Sequence, residues 1–360
     1  MAFPETEMSR IRTILRVCLV SLGVLLILIA VMLAIGAWQY KRVTTINTPN
    51  GINEARYVRI GGIDQWVQIR GDDKSNPVLL WLNGGPGPST IPATYFFRDW
   101  ERHFTLVMWD QRGEGRTFAS SGRSVASTMT IDRMAQDGIE LTNYLRSRLH
   151  KHKIILLGHS WGSILGVHMA RDRPDLFYAY VGTGQVHDMR ADLRSAYPRL
   201  LARAHSSHNK QAVQELEKAG PPPYVQLAKY LIPLRWANAL DPPIQFSISA
   251  EKLPGALWAN LINLPDLPSL SQGGEFSTNL LLGPILAENL SVSAPRLDVP
   301  VVIVSGSDDL VTPNAKTFFG AVLAPRKQFL TIDGGGHLAV LGRRAEFLHL
   351  LLTDVRPLAN

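Results

Sequence analysis

The stretch KIILLGHSWGSILG, residues 153–166, constrains this chain more than any other. An apolar run of strand length stops at Gly158. One hydroxyl residue follows at Ser160, a second glycine stands at Gly162, and helix-compatible sequence resumes. In a G-x-S-x-G turn the serine sits in strained backbone geometry between a strand and a helix. Its flanks are glycine because strand and helix approach too closely for a Cβ. The serine is presented at a helix N-terminus, where unpaired N–H groups favour negative charge. The pattern alone is common. Placed after a buried strand and before a helix, it marks Ser160 as a candidate nucleophile.

The remaining sequence repeats the strand-then-helix rhythm. RYVRI (56–60) and QWVQIR (65–70) alternate polar and apolar residues and are joined by GGID, which predicts a hairpin. PVLLWL (77–82) and FTLVMW (104–109) are continuous apolar runs, as expected of strands buried on both faces, and IILL (154–157), AYVGT (179–183) and VVIVSG (301–306) read as further strands. QFLTID (328–333) resumes the pattern. Helical spacing over 131–149 follows Thr130, a predicted N-cap. A helix is predicted from Ser160 to about Ala170, and a last one from about Leu338 to Leu352. The fold class is therefore α/β: a mostly parallel sheet with helices on both faces, opened by an antiparallel hairpin. Residues 187–293 interrupt it, being helix-like and proline-rich, and are read as an inserted cap. The predicted segments are 1–42 (tail and anchor), 43–186 (core, first part, opening with a linker over 43–55), 187–293 (cap) and 294–360 (core, second part).

A serine hydroxyl needs a base, and the base needs an orienting acid. In a sheet of this kind they follow in the order Ser, Asp or Glu, His, each just past a late strand. VVIVSGSDDLVTP offers Asp308 and Asp309; Asp309 is preferred, with Asp308 left to close the turn. QFLTIDGGGHLAV offers His337 in a glycine-rich loop between the last strand and a helix. His159, inside the turn, is expected to point away from Ser160 and to pack. A tetrahedral intermediate needs two N–H donors: that of Trp161, after the serine, and one from LNGGPGPS (82–89), assigned to Gly85 with Gly84 as runner-up.

NGGPGPS, WDQRGEGRT and LGHSWGS, in this order, resemble the proline iminopeptidase group of α/β-hydrolases. The resemblance covers roughly residues 55–186 and 294–360. It implies an α/β-hydrolase core, a helical cap, no cofactor, and the triad Ser160, Asp309 and His337. It also implies that Asp110 and Arg112 brace the loops beside the site. Two departures stand out. The usual HGGPG begins here with Asn83, and a cap segment presenting acids to a substrate amine is not recognisable. An aminopeptidase must pair that amine with a carboxylate, since a cation buried unpaired costs several kcal/mol. Among Glu215, Glu217, Asp241, Glu251, Glu275 and Glu288, the residues singled out as substrate-binding candidates are Glu251 and Glu275. The leading function is a membrane-anchored serine hydrolase cleaving an amide or ester of a small molecule or short peptide. Aminopeptidase stands against carboxylesterase or lactonase, with an acyltransferase or a non-catalytic binding module on the same fold as further alternatives.

Val17–Ala37 contains no charged residue and, as a helix, would span about 30 Å, a bilayer's hydrocarbon thickness. Ala34 and Gly36 fit a signal-peptide cleavage site, but the run exceeds the roughly 7–15 apolar residues of one. An uncleaved single-pass anchor is preferred, with Trp38, Tyr40, Lys41 and Arg42 at the interface. Basic residues flank both ends. The domain is expected outside the cytoplasm, as for a signal anchor. The lipid bilayer is thus an expected partner. The net charge of +7 is spread without a dense Lys/Arg patch, which argues against nucleic acid. The single cysteine, Cys18, excludes an intrachain disulfide and a cysteine metal site, and no metal is expected.

Overall fold

In the computed structural model the described residues are 5–224, 227–241 and 253–359. They divide into two compact units: the described residues up to 45 with 253–264, and those of 46–241 with 265–359.

The first unit holds α1 (Glu5–Thr44) and, from much later in the chain, α8 (Leu253–Ile262). Among the described residues, α1 is the one helix long and apolar enough to cross a membrane; within its stretch Ile14–Thr44 an 18-residue window has a mean hydropathy of 3.1 and none of its residues buried. Helix α8 packs on its end. A Cβ on Gly36 would stand 2.6 Å from the Pro254 carbonyl and 3.1 Å from Trp258 Cβ, so only glycine permits this approach.

The second unit is built on one eight-stranded sheet. Its strands are β1 (Ile52–Ile60), β2 (Ile63–Gly71), β3 (Val78–Leu82), β4 (Thr105–Trp109), β5 (Ile154–His159), β6 (Phe177–Thr183), β7 (Val301–Gly306) and β8 (Lys327–Ile332), in the order β1-β2-β4-β3-β5-β6-β7-β8. The β1–β2 and β2–β4 pairs are antiparallel and the others parallel. The hairpin turns through Gly61 and Gly62, both at positive φ, as a two-residue turn matched to strand twist requires. Strand β1 begins at Ile52, so the linker is shorter than sequence predicts.

Residues of β3 and β4 are buried throughout because helices cover both faces. Leu80 and Leu82 join one core with α3 (Ile131–Leu149) and α4 (Trp161–Asp172), through Met134, Leu141, Ile164 and Leu165. Leu79 and Trp81 point to the other face and join Trp100 and Phe347. Thr130 Oγ1 accepts from Arg133 N and caps α3. Helix α4 starts at Trp161, not Ser160, because Ser160 has φ 53°. The expected single C-terminal helix is broken at Arg343 into α12 (Ala339–Gly342) and α13 (Arg344–Leu350), and α13 runs on into a π-helical turn (Leu351–Val355) and a 3-10 turn (Arg356–Ala359).

The other helices are α2 (Gly115–Ser121), α5 (Met189–Ser206), α6 (Lys210–Ala219), α7 (Leu227–Leu240), α9 (Leu267–Ala287), α10 (Leu290–Ser293) and α11 (Ala315–Ala321). The ends of the 187–293 interruption meet. Asp188 and Asn289 form an isolated antiparallel bridge, and Leu290 N donates to the His187 carbonyl at 2.9 Å. A long segment can therefore leave and re-enter between β6 and β7 without breaking the sheet.

Candidate active site

Ser160, Asp309 and His337 follow the carboxyl ends of β5, β7 and β8. After β5 the chain turns through Ser160 at φ 53°, ψ −119°, a conformation rare for a residue with a side chain. Its N–H donates to the Thr183 carbonyl of β6 at 3.0 Å, which helps hold the turn. The glycines on either side are required sterically. A Cβ at Gly158 would lie 2.6 Å from the Gly162 carbonyl oxygen, and one at Gly162 only 2.1 Å from the Leu82 carbonyl oxygen of β3.

Ser160 Oγ lies 2.9 Å from Nε2 of His337, which follows β8. Nδ1 of His337 lies 3.1 and 3.2 Å from the two carboxylate oxygens of Asp309, which follows β7. Asp309 is fixed from below: its Oδ1 accepts from the Val311 and Thr312 N–H groups at 2.8 and 2.9 Å, and its Oδ2 from Thr312 Oγ1 at 2.7 Å. Burial would raise its pKa. The charge of His337 and the Thr312 bonds outweigh burial and lower it to about 2. Asp308 points elsewhere, to Arg203 at 3.3 Å, and is half-exposed.

Burial disfavours the charged form of His337, but Asp309, Asp241 and Asp192 surround it and raise its pKa above the ordinary histidine value. Asp241, at the end of α7, accepts from the His337 N–H at 3.1 Å. Asp192 of α5 accepts from the His187 and Asn314 N–H groups, and burial pushes it up to about 7. His159 does more than pack. Its Nε2 stands 3.2 Å from the His337 carbonyl and its ring 5.1 Å from the His337 ring. Burial and the neighbouring His337 lower its pKa to about 3, so it stays neutral and bonds to the loop that carries His337.

The loop after β3 approaches Ser160 at Gly84. A Cβ there would lie 3.1 Å from Ser160 Cβ, whereas one on Gly85, at φ 132°, would meet Pro88 and Gly87. Two residues that the sequence reading passed over hold this loop. Gln111 donates from Nε2 to Asn83 Oδ1 at 3.0 Å and accepts from Trp161 Nε1 at 3.1 Å, tying the loop to the turn. Glu114, fully buried, accepts from Asn83 Nδ2 at 2.9 Å, Gly87 N at 3.1 Å and Gln111 N at 3.1 Å. Burial pushes its pKa up to about 8, against those three donors and with the help of Asp110. Gln111 and Glu114 thus share the bracing expected of Asp110 and Arg112, and Asp110 itself is bonded to Ser89 at the end of the same loop. Asp110 Oδ2 accepts from Arg116 N at 2.8 Å. Arg112 bonds Asp137 at 2.8 and 3.2 Å and the Gly61 carbonyl at 2.8 Å, pinning α3 to the hairpin turn. The available signal was the departure itself: Asn83 at the head of NGGPG and a glutamate inside WDQRGEGRT are complementary buried partners.

Glu275 is exposed on α9, whose buried side carries Phe276, Ser277 and Leu281. It is not brought to the triad, and the cap carboxylate that accepts from the His337 backbone N–H is Asp241. Glu251 lies outside the described residues.

The α/β-hydrolase fold family model matches residues 77–343. A protein named as probable aminopeptidase YbaC from Bacillus subtilis (strain 168) is 32% identical over 305 residues, covering 82% of this chain and 94% of its own. This chain is an α/β-hydrolase of the proline iminopeptidase-like group. A proline iminopeptidase from Lacticaseibacillus rhamnosus (strain Lc 705) is 25% identical, covering 79% of this chain and 92% of its own. The solved structure of a membrane phospholipase A superposes with a TM-score of 0.59 at 15% identity. It covers 98% of this chain and 99% of its own, a likeness of fold.

Proposed function

We propose that this α/β-hydrolase is a membrane-anchored serine hydrolase of aminopeptidase type, working through an acyl-enzyme. Ser160 Oγ attacks the substrate carbonyl as His337 Nε2 takes its proton. Asp309 holds His337 with Nδ1 protonated and stabilises the imidazolium that forms. The oxyanion is received by the N–H groups of Trp161 and of the Gly84–Gly85 loop, with Gly85 as donor, and by the N-terminal end of α4. His337 returns the proton to the leaving group, the acyl–Ser160 ester forms, and water attacks it by the same route. Helix α1 serves as the single-pass anchor, with the hydrolase domain outside the cytoplasm.

The observation that supports this most is the continuous chain of contacts Ser160–His337–Asp309, at 2.9 and 3.1 Å. The likeness to proteins named aminopeptidase and proline iminopeptidase favours an amide bond beside a free amine. Asp241, buried within the cap and beside His337, is the carboxylate best situated to face that amine. An esterase reading has its own support: Asp241 already accepts a bond from His337 N, and Glu275 faces solvent.

The test uses the full-length chain in detergent. A fluorophosphonate probe should label the wild type and leave Ser160→Ala unlabelled. A panel of aminoacyl, N-acylated aminoacyl and short-acyl chromogenic substrates then separates the readings. For an aminopeptidase, Asp241→Asn should lower kcat/KM on free-amine substrates by about tenfold or more and leave neutral esters nearly unchanged. Equal cleavage of N-acylated and free-amine substrates would remove the aminopeptidase reading and leave the esterase. Labelling of Ser160→Ala as strong as wild type would remove the serine mechanism.

A further inference from the structure

Helix α8 is a segment of the cap that the chemistry above does not use. LPGALWANLI carries no charged residue. Leu253, Leu257 and Leu261 recur every fourth position and so share one face, and they are 47%, 43% and 40% exposed. Ile262 and Leu264 extend the exposed apolar surface. Single exposed leucines need no explanation, but a contiguous stripe of them does.

The contact with α1 says what covers that stripe. Gly36, against which Pro254 and Trp258 pack, lies inside the uncharged run Val17–Ala37, at its last turn. Three residues further on, Gln39 Oε1 accepts from Gly255 N at 3.0 Å, satisfying an N–H of α8's first turn, which has no partner within the helix. Helix α8 is therefore joined to α1 at the boundary between its apolar run and the Trp38, Tyr40, Lys41 and Arg42 cluster. Any segment in contact at that depth shares the solvent that α1 has there. Ile35 and Trp38 on α1 are themselves exposed beside the joint. With 10 residues, α8 is about 15 Å long, half the hydrocarbon thickness, so it cannot cross and suits the interface.

We propose that α8 is a second, interfacial membrane element: its Leu253–Leu257–Leu261 face lies in the bilayer, so the cap is held to lipid as well as the N-terminus. This rests on reading α1 as a membrane span. A second copy of the chain is the competing cover, and the experiment distinguishes it.

The test places one fluorophore in the full-length chain, on a Cys18→Ser background, at Leu257→Cys, with Leu261→Cys as a second reporter. Leu26→Cys reports the span, and Lys218→Cys, exposed on α6, reports water. Each is reconstituted in phosphatidylcholine–phosphatidylglycerol vesicles. Lipid carrying a doxyl group high on the acyl chain and aqueous iodide serve as quenchers. The expected result is that doxyl lipid quenches Leu257 and Leu261 about twofold or more while iodide barely does, and that Lys218 behaves oppositely. If Leu26 meets lipid but Leu257 and Leu261 meet iodide, the inference is overturned and the anchor stands. If both α8 sites are shielded from both quenchers, and the shielding disappears on dilution with lipid, a second copy is the cover and the inference is likewise overturned. If Leu26 is not quenched by lipid, the anchor reading fails and the inference fails with it.

Discussion

Replacing Asp309 by Asn, compared with the same change at Asp308, tests the site most sharply, because the two neighbours have opposite surroundings. Asp309 Oδ1 accepts two backbone N–H groups, and its Oδ2 faces Thr312 Oγ1 and His337 Nδ1. An asparagine must put NH2 where one oxygen stood. At the Oδ1 place it would orphan two buried N–H groups, at about 1–3 kcal/mol each. The amide therefore turns NH2 toward His337, Nδ1 becomes an acceptor, and the proton moves to Nε2. His337 can then no longer take the Ser160 proton. A wrong tautomer in such a triad lowers kcat by about 10⁴.

Stability changes in a defined acid window. The folded pKa of Asp309 is depressed from 3.8 to about 2, so its contribution is complete above the unfolded value and is lost as pH falls toward 2. That shift corresponds to about 2 kcal/mol. Asp309→Asn should lose that part of the pH dependence. Asp308→Asn removes a half-exposed pair with Arg203 and should cost less than about 1 kcal/mol and change kcat less than about threefold. The assay is hydrolysis of the best chromogenic substrate from the panel, with guanidinium unfolding of the detergent-solubilised chain from pH 2 to 7. A severe Asp308→Asn alongside a near-normal Asp309→Asn would show that Asp309 is not the acid that orients His337.

Other expectations follow from the same geometry. Gly162→Ala puts a methyl group 2.1 Å from the Leu82 carbonyl, which must push β3 and α4 apart; unfolding should show a loss of about 1–3 kcal/mol, while Gly283→Ala, in open space on α9, should be neutral or slightly stabilising. Glu114→Ala leaves the Gly87 and Gln111 N–H groups without their acceptor. It should cost about 2–5 kcal/mol in denaturant and lower kcat more than it raises KM. The acid limb of kcat/KM should follow His337, whose neutral form is the proposed base: activity is lost as pH falls through its raised pKa, above the ordinary 6.5. Asp241→Asn, which removes one of the charges that raise it, should move that limb to lower pH in a pH–rate profile.

Much of the site was legible in sequence because its parts are local. The G-x-S-x-G turn after a buried run reports steric crowding at Gly158 and Gly162, which any chain in this geometry must satisfy with glycine. The apolar runs of β3 and β4 report burial on both faces of a sheet. Val17–Ala37 shows its length and lack of charge without reference to anything else. Contacts between residues far apart in the chain were not legible. Asp309 was preferred to Asp308 from sequence, but Asp308 does not close the turn: it pairs with Arg203, 105 positions away, and Asp309 itself accepts the Val311 and Thr312 N–H groups. Glu114 and Asn83 are 31 positions apart, and their pairing exists only because β3 and β4 are neighbours in the sheet. Asp241 and His337 are 96 apart, brought together by the fold of the cap, while Glu275 is turned to solvent by the phase of α9. The Gly36–Pro254 contact joins the two most distant apolar segments of the first unit. Apolar pattern states that a face must be covered; only the tertiary structure decides what covers it, because burial is non-directional and the close approach is set by a missing side chain.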